Sequence, residues 1–173
     1  SMLRAKLSGA AAGYKAVFGK NLELHFHLPT ARSLVRLWRE KNHRVGDRWV
    51  DVSDDLKSFR PTVIEVNRTG RPVKGIEVGR GGFAIRGLAP IKDTSGRQLG
   101  SVEALADFDA VLASAAADEG NLILYMNADL LSIATSLQDP AKNPVLDGRF
   151  VQVTQMRDTS LGALVSAAFL AKA

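Results

Sequence analysis

"PVKGIEVGRGGFAIRGLAPIKDTSGRQLGSVEALAD", residues 72–107, decides the fold. Three runs within and just beyond it, VKGIEVG, FAIRGLAPI and QLGSVEALADF, change character every second residue, which is the period of a β-strand. They are separated by RGG and KDTSGR, whose glycine, aspartate and serine suit tight antiparallel connections. The stretch therefore predicts a three-stranded meander. GRGGFA, residues 79–84, matches the G-x-G-x-x-A dinucleotide pattern letter for letter. That pattern binds a pyrophosphate only where a strand turns into a helix. Here the following residues keep alternating and Pro90 would break a helix, so the glycines are assigned to a hairpin.

Working outward, residues 3–19 are rich in alanine, leucine and lysine and end at Gly19, as a helix closed by glycine does. LELHFHL, residues 22–28, alternates, with Leu22, Leu24, Phe26 and Leu28 on one face and Glu23, His25 and His27 on the other. TARSLVRLWRE, residues 30–40, has helical spacing, with Thr30 as N-cap and Leu34, Leu37 and Trp38 on a shared face. Residues 41–53 have no period and are expected to be a loop. Leu56, Phe59, Val63 and Val66 predict a helix over 54–68 that is kinked at Pro61 or begins there. Past the meander, a helix ending at Gly120, a strand NLILYMN, a helix ADLLSIATSL, a strand RFVQVTQM and a final helix over 158–172 are expected. The order predicts an α+β fold: a mainly antiparallel sheet flanked by helices, with an N-terminal helix.

With 173 residues, 46% hydrophobic and 24% charged, the chain suits one folded domain. There is no cysteine, which excludes disulfides, thiolate catalysis and cysteine-bound zinc. The opening has no signal-peptide pattern, and the apolar C-terminal run SLGALVSAAFLAKA is too short for a ~30 Å hydrocarbon core. Any membrane attachment is expected through transmembrane helices outside these residues. The net charge of +5 is concentrated between Arg32 and Lys74.

Candidate functional residues fall into three groups. His25 and His27, two apart on one strand face, could chelate zinc or nickel if a third ligand such as Glu77 or Glu103 approached through the fold. Alternatively they line a pocket, and His27, at the strand end, is the better placed. Arg32, Arg36 and Arg39 form a basic stripe, either a solvated helix face or an anion contact. No base-stacking aromatic series accompanies it, so nucleic acid is not expected. Arg60, Glu77, Arg86 and Glu103 are charged residues in apolar runs, and the last three lie on successive strands of the meander, where they can converge. Either they pair with one another or a leftover arginine recruits an anion, and both readings require partial burial. For catalysis the signals are thin, because Ser101 has no base beside it in sequence and no nucleophile elbow is present.

Residues 22–107, through HFHLP, RLW, the stretch FRPTVIEVNRTGRPVKGIEVGR and GSVE, resemble the double Cache sensor domains of bacterial methyl-accepting chemotaxis proteins and related signal transducers. The resemblance implies a long N-terminal helix followed by a PAS-like antiparallel sheet holding a small ligand. It implies a periplasmic or extracellular location within a membrane-anchored receptor, a non-enzymatic role, and no cofactor. On that reading residues 1–173 form a single Cache-type domain or part of a double Cache region, with the portion after about 120 less clearly placed. A small polar or anionic metabolite is expected among His27, Arg36, Trp38, Arg60, Glu77, Arg86, Ser101 and Glu103. Binding is expected to displace a helix, and a homodimer is compatible with it. A metal-binding domain built on His25 and His27 and a basic nucleic-acid-binding module are the alternatives.

Overall fold

The helix predicted at the N-terminus is α1 (Met2–Phe18). Gly19 closes it in the left-handed region, at φ 68°, with its N–H on the Lys15 carbonyl. The structure is a computed structural model and describes residues 2–39, 43–115, 122–154 and 164–172. None of the α1 side chains is buried. Arg4 ties the helix down, its Nε and Nη2 donating to Asp51 at 3.1 and 2.8 Å and its Nη1 to the carbonyls of Arg36 and Arg39.

β1 (Leu24–His27) follows, and then β2 (Ser33–Arg36), where a helix over 30–40 is expected from the spacing of Leu34, Leu37 and Trp38. The helix does not form because the chain turns at Pro29–Thr30 with Ala31 at φ 57°. Ser33–Arg36 then gain a ladder on one edge and, at Ser33, backbone bonds on the other. One edge pairs with β1, as His25↔Arg36, Phe26↔Val35 and His27↔Ser33. On the other, the Ser33 N–H donates to Asp54 O and the Ser53 N–H to Ser33 O. Tertiary pairing outweighs helix propensity here. The expected loop over 41–53 contains a small hairpin, β3 (His43–Val45) and β4 (Arg48–Val50), turned at Gly46 with φ 57°.

α2 (Pro61–Thr69) begins at Pro61, the second of the two expected outcomes, and ends at Gly70 with φ 63°. The meander is β5 (Val73–Gly79), β6 (Gly82–Lys92) and β7 (Gln98–Asp107). Its second connection is organised by Asp93, which accepts from the Ser95 and Arg97 N–H groups, both at 3.0 Å. The sheet order is β2-β1-β7-β6-β5, so the first strand is paired centrally with the last strand of the meander. That close approach requires Gly100, at φ 147°, where a Cβ would lie 2.1 Å from the His27 carbonyl oxygen.

Of the two faces of LELHFHL, the one carrying His25 and His27 is buried, whereas Leu24, Phe26 and Leu28 are only half-buried. The buried face continues with Ser101 and Glu103 on β7 and Arg86 and Leu88 on β6. Beyond the charges it becomes apolar, where Leu88 packs with Ala31, Leu56, Val63 and Val66, so α2 covers this side. On the opposite face Leu24, Val102, Ala104 and Ala89 line an open trough of about 460 Å³.

The chain divides into two compact units, Ser1–Glu77 with Ile85–Ala106, and Val78–Ala84 with Asp107–Ala173. The second contains α3 (Asp109–Ala115), β8 (Tyr125–Asn127), β9 (Val145–Leu146), β10 (Phe150–Gln152) and α4 (Ala167–Leu170), with the sheet ordered β8-β10-β9. Its core is Met126, Ala134 and Val151, with Val78, Phe83, Leu131 and Leu137 against them. The expected helix ADLLSIATSL is instead two 3-10 turns, Ala128–Ser132 and Thr135–Leu137. They are broken where the Ser136 N–H leaves the helical pattern for Arg80 O. The end of the alanine-rich helix, the start of the NLILYMN strand, the end of RFVQVTQM and most of the final helix lie outside the described residues. Among the described residues no helix is long and apolar enough to cross a membrane.

Candidate functional site

Alternation along the first unit's sheet puts every second residue of β1, β5, β6 and β7 on one side. It thereby gathers His25, His27, Glu77, Arg86, Ser101 and Glu103, while Arg60 arrives from the residue preceding α2. Glu103, 0% exposed, is the hub. Its Oε1 accepts from Arg86 Nη1 at 2.8 Å and from Arg60 Nη2. Arg60 Nε donates to Glu77 Oε2 at 2.5 Å. Glu77 also accepts from the Thr62 backbone N–H (3.1 Å) and hydroxyl (2.9 Å), satisfying one of the orphan donors at the start of α2. Two arginines and two carboxylates thus form a buried, charge-balanced network, the internal pairing that is one of the two readings of these residues.

The other oxygen of Glu103 behaves differently. Oε2 faces His25 Nδ1 at 3.4 Å and His27 Nε2 at 3.6 Å, both longer than a well-formed hydrogen bond. Glu103 Oε2 and His27 Nε2 are buried without a hydrogen-bond partner. Each ring is held from its far side by a serine, His25 Nε2 by Ser33 Oγ at 2.8 Å and His27 Nδ1 by Ser101 Oγ at 3.1 Å. The rings meet edge to face with centroids 4.1 Å apart, and Trp38 stands edge-on to His25 at 6.0 Å.

Burial lowers the His25 pKa to about 3, aided by the charges of His27 and Arg36 and opposed by Glu103. Burial likewise lowers His27, again against Glu103. For Glu103 burial acts upward, but the two imidazoles and the charges of Arg60 and Arg86 outweigh it and hold the carboxyl well below its usual range. At neutral pH the cluster therefore combines two neutral imidazoles with an ionised carboxylate.

Of the residues singled out in the sequence, His27, Arg60, Glu77, Arg86, Ser101 and Glu103 come together. Arg36 lies at the end of β2, its Nη2 donating to Asp54 Oδ2 at 2.9 Å, and Trp38 reaches the cluster only through His25. The basic stripe dissolves with the helix that defined it: Arg36 is buried, whereas Arg32 and Arg39 are exposed. His25, outside the expected ligand set, is as central as His27. Its signal was present, since it shares strand parity with His27. Ser33, Thr62 and Asp54 carried none, because a lone serine, threonine or aspartate has no periodicity to mark it. Ser101, without a base beside it in sequence, acquires His27 through the fold. In the resulting serine–histidine–glutamate chain Ser101 is 0% exposed and His27 Nε2 lies 3.6 Å from Glu103 Oε2.

An N-terminal helix feeding an antiparallel sheet, with a buried polar cluster on one face, defines an α+β module of the PAS-like, Cache class. Residues 17–125 match the double Cache family described as "Double sensory domain of two-component sensor kinase", and the chain belongs to that family; it is a Cache sensor domain. Among solved structures, the "Extracellular ligand binding receptor from Desulfohalobium retbaense DSM5692" is similar at 17% identity and a TM-score of 0.42 over 69% of this chain. The chain spans only 22% of that receptor's length. No curated protein matches.

Proposed function

We propose that the chain is the extracytoplasmic ligand-binding region of a membrane-anchored signal transducer of the chemoreceptor or sensor-kinase kind. It binds a small polar or anionic metabolite at the cluster formed by His27, Arg60, Glu77, Arg86, Ser101 and Glu103, with Arg36 and Trp38 at its margin. The role is binding rather than catalysis. Residues 1–173 act as one Cache-type sensor region, with the ligand cluster in the first unit and the portion after about 120 belonging to the remainder of a double Cache arrangement. The full receptor works as a homodimer, and the partner is neither nucleic acid nor lipid.

The observation that carries this reading is the unspent polar capacity of Glu103 Oε2 and His27 Nε2 in a buried site of a sensory family. A polar group left unpaired in the interior costs free energy, and a hydroxyl or ammonium donor on the ligand recovers it at Glu103 Oε2. Binding then shifts the helix arrangement that favours the ligand by its differential affinity and no more.

The test is a thermal-shift series of the purified chain against organic acids, amino acids and amines at two salt concentrations. A salt-tolerant rise in Tm with one carboxylate, lost in Arg86→Lys, is the expected result. Stabilisation only by polyanions, collapsing at high salt, would replace this reading with a nucleic-acid-binding module.

A further inference from the structure

We propose that His25 Nδ1, His27 Nε2 and Glu103 Oε2 form a binding site for one divalent transition-metal ion of the zinc, cobalt or nickel group, with at least one coordination position left to a second ligand. This deepens the sensor reading, because it names a metal as the element through which an anionic ligand is held at the same cluster. The metal contact itself stands on the local geometry.

The three donor atoms lie within 4.8 Å of one another, and all three residues are buried, at 2%, 2% and 0% exposure. With metal–ligand bonds of about 2.0–2.1 Å, neighbouring corners of a tetrahedron are ~3.4 Å apart. The two histidine-to-carboxylate separations, 3.4 and 3.6 Å, have this length, which is too long for a hydrogen bond and suits an ion bridging the pair. The third edge, between the two imidazole nitrogens, is within 4.8 Å, so the rings close by at most ~1.4 Å to complete it. Two imidazoles and one carboxylate are a donor set for borderline metals, and three protein ligands leave a tetrahedral ion one open position.

A second observation is independent of those distances. Each histidine presents its outer nitrogen to a serine hydroxyl, Ser33 for His25 and Ser101 for His27. A hydroxyl can accept the imidazole N–H or donate to the bare nitrogen; when an ion takes the inner nitrogens, the serines accept and each lone pair turns inward, as with the outer partners of metal-ligating histidines. Meanwhile Arg60 and Arg86 occupy Oε1 of Glu103 and leave Oε2 unpartnered. They orient the carboxylate so that one oxygen faces the rings.

Charge explains why the site would take an anion as well. Arg60 and Arg86 are balanced by Glu77 and Glu103, so a divalent ion adds an uncompensated double positive charge in a desolvated place. A carboxylate or hydroxide at the open position offsets it.

The chain is stripped with chelator and dialysed against Zn²⁺ alone or Co²⁺ alone. One ion per chain is expected, retained through buffer washing because the site is buried, with a raised Tm and the intense visible absorption of four-coordinate Co²⁺. His27→Gln should abolish retention. Ser33→Ala and Ser101→Ala, which leave all three ligands in place, should each weaken affinity by roughly 10–100-fold. Absence of stoichiometric binding by the unsubstituted chain overturns the proposal. So does binding that His27→Gln and Ser101→Ala leave unchanged in variants whose circular dichroism is native, since the ion then sits elsewhere. If metal binds as expected but no carboxylate stabilises the loaded chain, the metal site stands and the anion-sensing reading falls. If a carboxylate stabilises the metal-free chain and Zn²⁺ has no effect, the reverse holds.

Discussion

The two units of this chain differ in what they bury. In the first a glutamate, two histidines, two arginines and two serines are buried beside an apolar cluster of Ala31, Leu56, Val63, Val66 and Leu88. In the second the buried cluster is Met126, Ala134 and Val151. Apolar packing is graded, because each methylene contributes on its own and a neighbour of similar volume can replace it. An ionic network is conditional: every member is tolerable only while its partners are present, and removing one leaves the others charged and dry. The charged cluster lies within the segment matching the sensory family.

Shape-conserving replacements put that contrast at greatest risk. Glu103→Gln keeps the volume but leaves Arg60 and Arg86 with Glu77 as the remaining carboxylate, and about 3–5 kcal/mol of stability should be lost. In denaturant melts a loss below about 1 kcal/mol would show that the network is dispensable and erase the distinction. Gly100→Ala should cost about 1–3 kcal/mol, because the new methyl meets the His27 carbonyl and the β1–β7 ladder must shift. This effect should appear together with weakened ligand or metal binding, since the ladder carries His25, His27, Ser101 and Glu103. Met126→Leu in the other core should cost less than about 1.5 kcal/mol. Arg97→Ala, removing an ion pair at the surface with Asp93, should leave the denaturation midpoint essentially unchanged and serves as the baseline.

Acid gives a sharper version of the same test. His25 is held near 3 in the folded chain against 6.5 in the unfolded one, so its contribution is complete above pH 6.5. As pH falls from 6.5 towards 3 the unfolded state takes up a proton that the folded state refuses, and stability declines. Glu103, also depressed, adds a further loss as pH falls below its ordinary value of 4.5. A Tm profile that is flat between pH 7 and 4 would contradict the buried neutral histidines. In His25→Gln the first part of the decline should shrink.

The same contrast separates what could be read from the letters from what could not. The meander of residues 72–107 was legible because strand period and turn chemistry agree there, and that Glu77, Arg86 and Glu103 can converge followed from their places on successive strands. β2 was not, because SLVRLW satisfies a helical period as readily as a strand, and only its partners on both edges decide. The two faces of β1 were legible, but which of them is buried was not: hydropathy favours leucine and phenylalanine inward, whereas histidines that find serines and a glutamate can occupy the interior instead. The 3-10 turns over 128–137 were equally hidden, since their break depends on the Arg80 carbonyl far away in sequence.

The strand order β2-β1-β7-β6-β5 has a consequence for how the chain comes into being. Ser101 meets His27 across 74 positions of sequence, and β1 cannot complete its pairing until β7 has left the ribosome. Until then the β1–β2 hairpin holds two histidines without the glutamate that faces them in the finished sheet. Closing so long a loop is entropically slow. A β1 paired with β7 in the wrong register would bury His25 and His27 away from Glu103 and Ser101, so the charged centre ties the register of the sheet to its own completion.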